Sequence, residues 1–154
     1  MVSRSVFKWC RTAHAWAGAA LSLLLFVLAL SGTALVFKDD YVRLVEPAAR
    51  AAPDLSSEGM VKVVKAAEVH FGREQLSALF FASHDFGLHK VYLRDDKAAY
   101  LTSDGSLLDT WEKNGRVEDW VFDLHHYLLA GRTGAIVAGS AGLAACVLVL
   151  TLGL

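Results

Sequence analysis

Two long stretches without a charged residue constrain this chain more than any other feature. The first covers residues 15–37 and the second covers residues 134–154. An α-helix rises about 1.5 Å per residue, so about 20 apolar residues match the hydrocarbon thickness of a bilayer. Hydrophobic residues make up 55% of the 154-residue chain and charged residues 20%, which is unusual for a soluble domain. We therefore expect two transmembrane helices, over 13–37 and 134–154.

A cleaved signal peptide is the alternative interpretation of the first stretch. Basic residues precede the stretch and small residues follow its core, as in a secretory signal. Its apolar part is longer than the roughly 7–15 residues of a signal peptide, which favours a membrane helix. The second stretch continues to the last residue without a basic cluster. We therefore expect either a truncated chain or the first part of a longer protein with more spans.

The charges that flank the first stretch predict the orientation of the chain. Residues 1–12 contain Arg4, Lys8 and Arg11 and no acidic residue, whereas residues of both signs follow the stretch. Lys and Arg are enriched on the cytoplasmic side of membrane helices. The sequence therefore predicts a cytoplasmic N-terminal segment. The residues over 38–118 are expected outside the membrane, which is the periplasm if the source is a Gram-negative bacterium.

The exported segment has the pattern of a small α+β unit. Either Ser56 or Ser57 can cap a helix that Gly72 ends. Short β-like runs follow at 76–83, 87–94 and 98–103. The Asp-Gly pair at 104–105 is typical of a hairpin turn. We expect one helix and a meander of three or four antiparallel strands, followed by an interfacial helix over 119–131.

Charge and motif content exclude several classes of function. The formal net charge is −1 and no stripe of basic residues lies outside the membrane flanks, so nucleic-acid binding is not expected. Cys10 and Cys146 belong to the membrane flank and the second apolar stretch, so they predict no disulfide in the exported segment. The sequence has no phosphate-binding loop and no flavin or nicotinamide fingerprint.

Histidines at both membrane edges are the candidate ligands. His14 precedes Gly18 on nearly the same helix face, and His125 and His126 precede the second apolar stretch. Imidazole is a common axial ligand of haem, and ionisable residues at membrane depth are functional candidates because they are costly there. The alternative is that they are interfacial residues beside an aromatic belt. His125 and His126 point about 100° apart on one helix, so they cannot both bind the same iron.

Other polar residues permit more than one interpretation. Arg132 could reach lipid headgroups or a haem propionate. His84 and His89 have a spacing that could suit a metal contact, but isolated surface histidines, including His70, are common. The polar candidates for hydrogen bonds to a ligand histidine are Thr12, Ser31, Thr33, Asp123 and Tyr127.

Two motifs carry a resemblance to a known family. "HAWAGAALSLLLFVLALSGTALVFKDDYVRLVEP" begins with His-x-Trp-x-Gly, and its apolar span ends with Ser-Gly-Thr and a short Val-Phe-Lys-Asp exit. "LHHYLLAGRTGAIVAG" places Leu128, Gly131 and Gly134 at steps of three after His125. Together they resemble the PepSY-associated transmembrane family, and the segment between them is similar to a PepSY domain. The same spacing favours His125 over His126 as the ligand.

The resemblance implies a haem-bearing electron-transfer protein. The family includes ferric-siderophore reductases and iron-regulated membrane proteins with four or more spans and b-type haem. It implies electron transfer across the inner membrane to a ferric siderophore, with a membrane quinol or a separate redox partner as the electron donor. The cofactor-site candidates are His14, His125, His126, Gly18 and Arg132. A membrane core of about 30 Å separates His14 from His125, which predicts two haems rather than one. Further ligands would come from another helix, another copy of the chain or a larger membrane complex.

Two other classes of function remain open. In one, the helices anchor the PepSY-like unit, which binds a peptidase or a cell-wall partner. In the other, the chain is an accessory subunit whose Gly- and Ala-rich helices pack against a neighbour. The sequence leaves open whether the protein is an enzyme.

Overall fold

The computed structural model describes residues 4–151, so residues 1–3 of the predicted N-terminal segment and 152–154 of the second apolar stretch lie outside the described part. The elements in chain order are α1 (Arg4–Val36), α2 (Lys38–Val45), a 3-10 helix (Pro47–Arg50), α3 (Ser57–Phe71), β1 (Leu76–Phe80), β2 (His89–Leu93), β3 (Lys97–Leu101), β4 (Leu107–Glu112), α4 (Val117–Tyr127) and α5 (Gly131–Thr151). They form two compact units. The helical unit contains residues 4–35 and 121–151, and the sheet unit contains residues 36–120.

The first predicted membrane helix is present as α1. Its segment Arg11–Val36 is 26 residues long and has a mean hydropathy of 2.3. An α-helix of that length is about 39 Å long, which exceeds the hydrocarbon thickness of a bilayer. Among the described residues, α1 is the one helix that is long and apolar enough by itself to cross a membrane.

The second predicted membrane helix requires a correction. The helices α4 and α5 satisfy the same criterion only as a pair, and they are bent by 57° at the break between them. The residues with positive φ in this break are Leu128 (49°), Leu129 (57°) and Gly131 (55°). Because left-handed residues end a helix, α4 stops at Tyr127 and the predicted interfacial helix does not continue to residue 131. The structure thus gives one clear span instead of two, and the predicted interfacial helix and second membrane helix form a bent pair.

Local capping explains the bounds of α3 in the sheet unit. The Ser56 hydroxyl accepts a hydrogen bond from the Gly59 N–H at 3.0 Å, so Ser56 rather than Ser57 is the N-cap. Gly72 has a φ of 78°, and its N–H donates to the Glu68 carbonyl at the end of the helix. Both ends agree with the sequence prediction.

The sheet is a four-stranded antiparallel meander in the order β1-β2-β3-β4. This confirms the predicted meander and adds β4 to the three runs that the sequence pattern located. The Asp-Gly turn joins β3 to β4, and Gly105 has a φ of 85° there. A residue with a Cβ atom is strained at that φ, which is why glycine suits the turn.

Both faces of the sheet are covered. On β3, Ala99 and Leu101 pack with Val63 and Ala67 of α3. The alternate residue Tyr100 packs on the other face with residues that include Val42 of α2, Ala49 of the 3-10 helix and Trp111 of β4. The period of two along a strand produces this division. The sheet unit therefore has one hydrophobic cluster on each face of its sheet.

Candidate functional site

The His125 side chain contacts one turn of α1 within the helical unit. Its Nδ1 atom lies 2.9 Å from the carbonyl oxygen of Leu28 and 3.2 Å from the Ser31 hydroxyl oxygen. The imidazole is partly buried, and Ser31 is 5% exposed. The structure therefore brings together one of the predicted ligand histidines and one of the predicted polar partners. The residues of α1 that hold the ring, 28–32, are named the 28–32 turn below.

The hydrogen bond to Leu28 fixes which nitrogen of His125 carries the proton. A carbonyl oxygen only accepts hydrogen bonds, so Nδ1 must be the donor at 2.9 Å. In the neutral ring, Nε2 then holds a lone pair. No hydrogen-bond partner of Nε2 is found within residues 4–151. This is the tautomer in which a histidine binds a metal through Nε2.

A glycine allows the His125 ring to approach α1. A Cβ atom at Gly32 would lie 2.7 Å from the ring's Cε1 atom and 3.2 Å from its Nδ1 atom. The first distance is shorter than any ordinary contact between carbon atoms. Any larger residue at position 32 would therefore displace the ring from the 28–32 turn.

His126 has a different environment although it adjoins His125. Its side chain is exposed, its ring is stacked on Phe122 with centroids 4.1 Å apart, and its Nδ1 lies 3.1 Å from the Phe122 carbonyl oxygen. The two imidazole planes are inclined by 83° to each other. The adjacent rings face different surroundings, as the helix geometry predicts.

The remaining cofactor-site candidates lie elsewhere in the helical unit. His14 and Arg132 are exposed, and a Cβ atom at Gly18 would meet nothing within 4 Å. Ser31 follows His14 by 17 residues in α1, which corresponds to about 25 Å along the helix axis. His14 is therefore far from the 28–32 turn, and a single haem cannot use both His14 and His125.

The histidines of the sheet unit do not form a metal-binding group. His89 is fully buried and its Nδ1 accepts a hydrogen bond from the Ala82 N–H at 3.1 Å, whereas His84 is exposed. His70 Nε2 lies 3.1 Å from the Gly105 carbonyl oxygen. Over the described range 4–151, no three residues of the types His, Cys, Asp and Glu are grouped so that they could hold a metal ion.

The sequence pattern gave no indication of a cluster of charged and aromatic residues in the sheet unit. Arg116 donates to Glu118 at 2.6 Å, and the side chains of the two residues are 12% and 2% exposed. Lys90 pairs with Asp119, which also accepts from the Trp111 indole N–H at 2.6 Å. Lys90 lies 29 positions before Asp119, and Arg116 also pairs with Glu46, 70 positions away, so only the folded chain brings these groups together.

This cluster holds its charges in a low-dielectric environment. Burial, with the nearby Glu118 charge as the next contribution, raises the pKa of the Tyr100 phenol far above its usual value. The Lys90 ammonium lies 5.3 Å from the centroid of the Trp111 ring, within cation–π range. Cations and carboxylates satisfy one another here, which is the arrangement of a structural ion-pair network.

Comparison with protein families identifies the chain. Residues 11–154 match the family described as the PepSY-associated TM region, so the match includes both motifs and the segment between them. No curated protein is similar enough to the chain to count as a match. The matched region holds all five cofactor-site candidates. This chain is a member of the PepSY-associated TM region family, and hence a membrane-associated PepSY protein.

Proposed function

We propose that this protein carries b-type haem and transfers electrons across the bacterial inner membrane. The supporting observation is His125, whose Nδ1–H is held by α1 and whose Nε2 is free of any hydrogen bond from residues 4–151. Neutral imidazole is a common axial ligand of b-type haem. The family membership and the apolar α1 support a membrane location for this ligand.

The residues at His125 fit one axial position of a haem. The ring presents Nε2 as a lone-pair donor, and the hydrogen bond at Nδ1 makes that nitrogen a better ligand. Because residue 32 is a glycine, the His125 ring can lie against α1. A bound haem supplies a one-electron carrier. The protein supplies the imidazole and its orientation.

His14 is proposed as the ligand of a second haem near the opposite membrane face. The about 25 Å between His14 and the 28–32 turn along α1 excludes a shared iron. Two carriers spaced along the membrane normal suit stepwise electron transfer. The second axial ligands would come from another helix, another copy of the chain or a partner subunit, and Gly18 and Arg132 would lie beside the cofactor.

The topology and partners follow from the same proposal. Basic residues at Arg4, Lys8 and Arg11 favour a cytoplasmic N-terminus. The bent pair of α4 and α5 would return the chain through the membrane, with the sheet unit in the periplasm. Electrons would come from a membrane quinol or a redox partner, and a ferric siderophore would accept them.

Absorption spectroscopy of the purified protein tests this proposal. The full chain should show the reduced-minus-oxidised bands of b-type haem. His14→Ala and His125→Ala should each remove part of the haem, and the double variant should remove all of it. His84→Ala, which changes an exposed histidine of the sheet unit, is the matched control and should retain full pigment. Full pigment in the double variant would contradict the ligand assignment.

An anchored binding module is the second candidate, and it is favoured by an aromatic patch on the sheet unit. Phe80 is 59% exposed and packs edge-on against Tyr92 with centroids 5.6 Å apart, while Phe81 is also exposed. Exposed aromatic residues are enriched at protein interfaces. A colourless preparation in which Phe80→Ser abolishes capture of a periplasmic partner would support this function over electron transfer.

A further inference from the structure

The geometry points to the 28–32 turn as a device that positions the His125 imidazole as a metal ligand. Ser31, Gly32 and the Leu28 carbonyl hold the ring in the Nδ1–H tautomer and leave Nε2 free. This inference rests on the proposed haem function, since it assigns residues that act through His125. Ser31 and Gly32 are positioning residues, because they touch the imidazole and not the iron.

The Leu28 carbonyl is the principal acceptor. Within α1 this oxygen receives the N–H of residue 32 through the regular helical hydrogen bond. A carbonyl oxygen has a second lone pair, and the Nδ1–H of His125 uses it at 2.9 Å. The backbone of a membrane helix supplies this acceptor whatever the side chain at position 28 is. The position of the acceptor is therefore fixed by the helix itself.

Gly32 makes that carbonyl accessible. Side chains of a helix lean toward its N-terminus and cover the preceding turn, so a side chain at position 32 would lie over the Leu28 carbonyl. The ring of His125 occupies this space, because a Cβ atom on residue 32 would come within 2.7 Å of its Cε1 atom. A glycine at this point of α1 therefore has a specific steric role.

Ser31 reinforces the same tautomer. Its hydroxyl lies 2.8 Å from the Val27 carbonyl oxygen and 3.1 Å from that of Leu28, so its single proton is directed to the backbone of its own helix. The oxygen lone pairs then face His125 Nδ1 at 3.2 Å. The Nδ1–H thus has two acceptors, and Ser31 is 5% exposed, so water does not compete with them.

Histidine tautomers can be measured without any haem. The full chain, labelled with ¹⁵N-histidine and produced in haem-deficient cells, would be studied in detergent by multiple-bond proton–nitrogen spectra, at a pH where imidazole is neutral. The signals of His125 are identified by their loss in His125→Gln. We expect a protonated Nδ1 and an unprotonated Nε2. A protonated Nε2 overturns the inference, whatever the haem content of the wild-type protein is.

Matched substitutions separate the positioning effect from a general one. Gly32→Ala should displace the ring, give a mixture of tautomers and lower haem affinity about 10- to 100-fold, the range for partners of a metal ligand. Ser31→Ala, which adds no atoms to the 28–32 turn, should also shift His125 toward a mixture of tautomers. The controls are Gly139→Ala, where a Cβ atom meets nothing within 4 Å, and Ser140→Ala, at an exposed site of α5. Both control variants should have the His125 tautomer and the haem affinity of the wild type.

The two proposals fail in different ways. A wild-type protein that binds no haem contradicts the proposed function, while the spectra still decide the tautomer. A haem protein in which Gly32→Ala and Ser31→Ala leave the tautomer, the haem affinity and the reduction potential as in the wild type contradicts the positioning role alone. If Gly32→Ala does not fold, Ser31→Ala alone tests the positioning role, because it adds no atoms to the packed helix.

Discussion

Protonation of His89 should make the sheet unit sensitive to acid. This side chain is fully buried, and burial lowers its pKa. Its Nδ1 accepts a hydrogen bond from the Ala82 N–H, so the proton of the neutral ring is on Nε2. Nε2 is buried, and the described part of the chain offers it no hydrogen-bond partner. A second proton would therefore place an uncompensated charge inside the domain.

The sign of the effect follows from proton linkage. The unfolded chain binds a proton at its histidine near the usual pKa of about 6.5, whereas folded His89 stays neutral until a lower pH. Between the two values the unfolded state binds more protons, so the free energy of unfolding falls as the pH falls. One proton corresponds to a slope of at most about 1.4 kcal/mol per pH unit, and the loss ends below the folded pKa.

His89→Asn isolates this contribution. The Asn carbonyl oxygen can accept the Ala82 N–H as Nδ1 does, but the side chain does not titrate. Amide hydrogen exchange in β3 of the full chain, corrected for intrinsic exchange rates, gives the opening free energy between pH 5 and pH 7.5. The pH slope should disappear in His89→Asn and persist in the exposed control His84→Asn. Equal slopes in the wild type and His89→Asn would refute the reasoning.

Three further substitutions test the sheet unit, each by chemical denaturation of the full chain. Arg116→Met should destabilise it by about 3–5 kcal/mol because Glu118 remains buried without its cation, and adding Glu118→Gln should recover part of the loss. Ser56→Ala should cost about 1 kcal/mol by removing the N-cap, whereas Ser57→Ala should change stability by less than about 0.5 kcal/mol. Gly105→Ala should cost more than about 1 kcal/mol, since φ is 85° and the new Cβ atom would lie 2.7 Å from the Cβ atom of Ala66. An unchanged denaturation midpoint for Arg116→Met, Ser56→Ala or Gly105→Ala would contradict the packing described.

Local chemistry explains which parts of the fold the sequence could predict. The bounds of α3 depend on a serine cap and a glycine stop, and the β3–β4 turn depends on an Asp-Gly pair, all of which are visible in a short window. The role of α2 and the 3-10 helix was not predictable in this way. Val42 and Ala49 are buried only because the opposite face of the sheet lies against them. That fact depends on tertiary packing and leaves no periodic signal.

The break between α4 and α5 shows a similar limit. Gly131 is a recognisable helix-ending residue, but two consecutive leucines also have positive φ, a conformation that costs a non-glycine residue about 1–2 kcal/mol. Leucine is a strong helix former, so its sequence signal favours a continuous helix. The sequence therefore placed the boundary between the interfacial helix and the membrane helix at residues 131–134, whereas the structure ends α4 at Tyr127 and bends the pair by 57°.

The candidate site shows where sequence patterns stop giving chemical information. The spacing pattern singled out His125, but its tautomer depends on a backbone carbonyl 97 positions away in the chain. His89 offers the contrast: an N–H donor at Nδ1 forces its proton onto Nε2, whereas a carbonyl acceptor at the Nδ1 of His125 forces the opposite arrangement. The His89 ring therefore has no lone pair on Nε2 for a metal, whereas the His125 ring has one. The identity of a single backbone partner, donor or acceptor, thus separates a core histidine from a candidate ligand in the same chain, and one nitrogen spectrum should show both tautomers side by side.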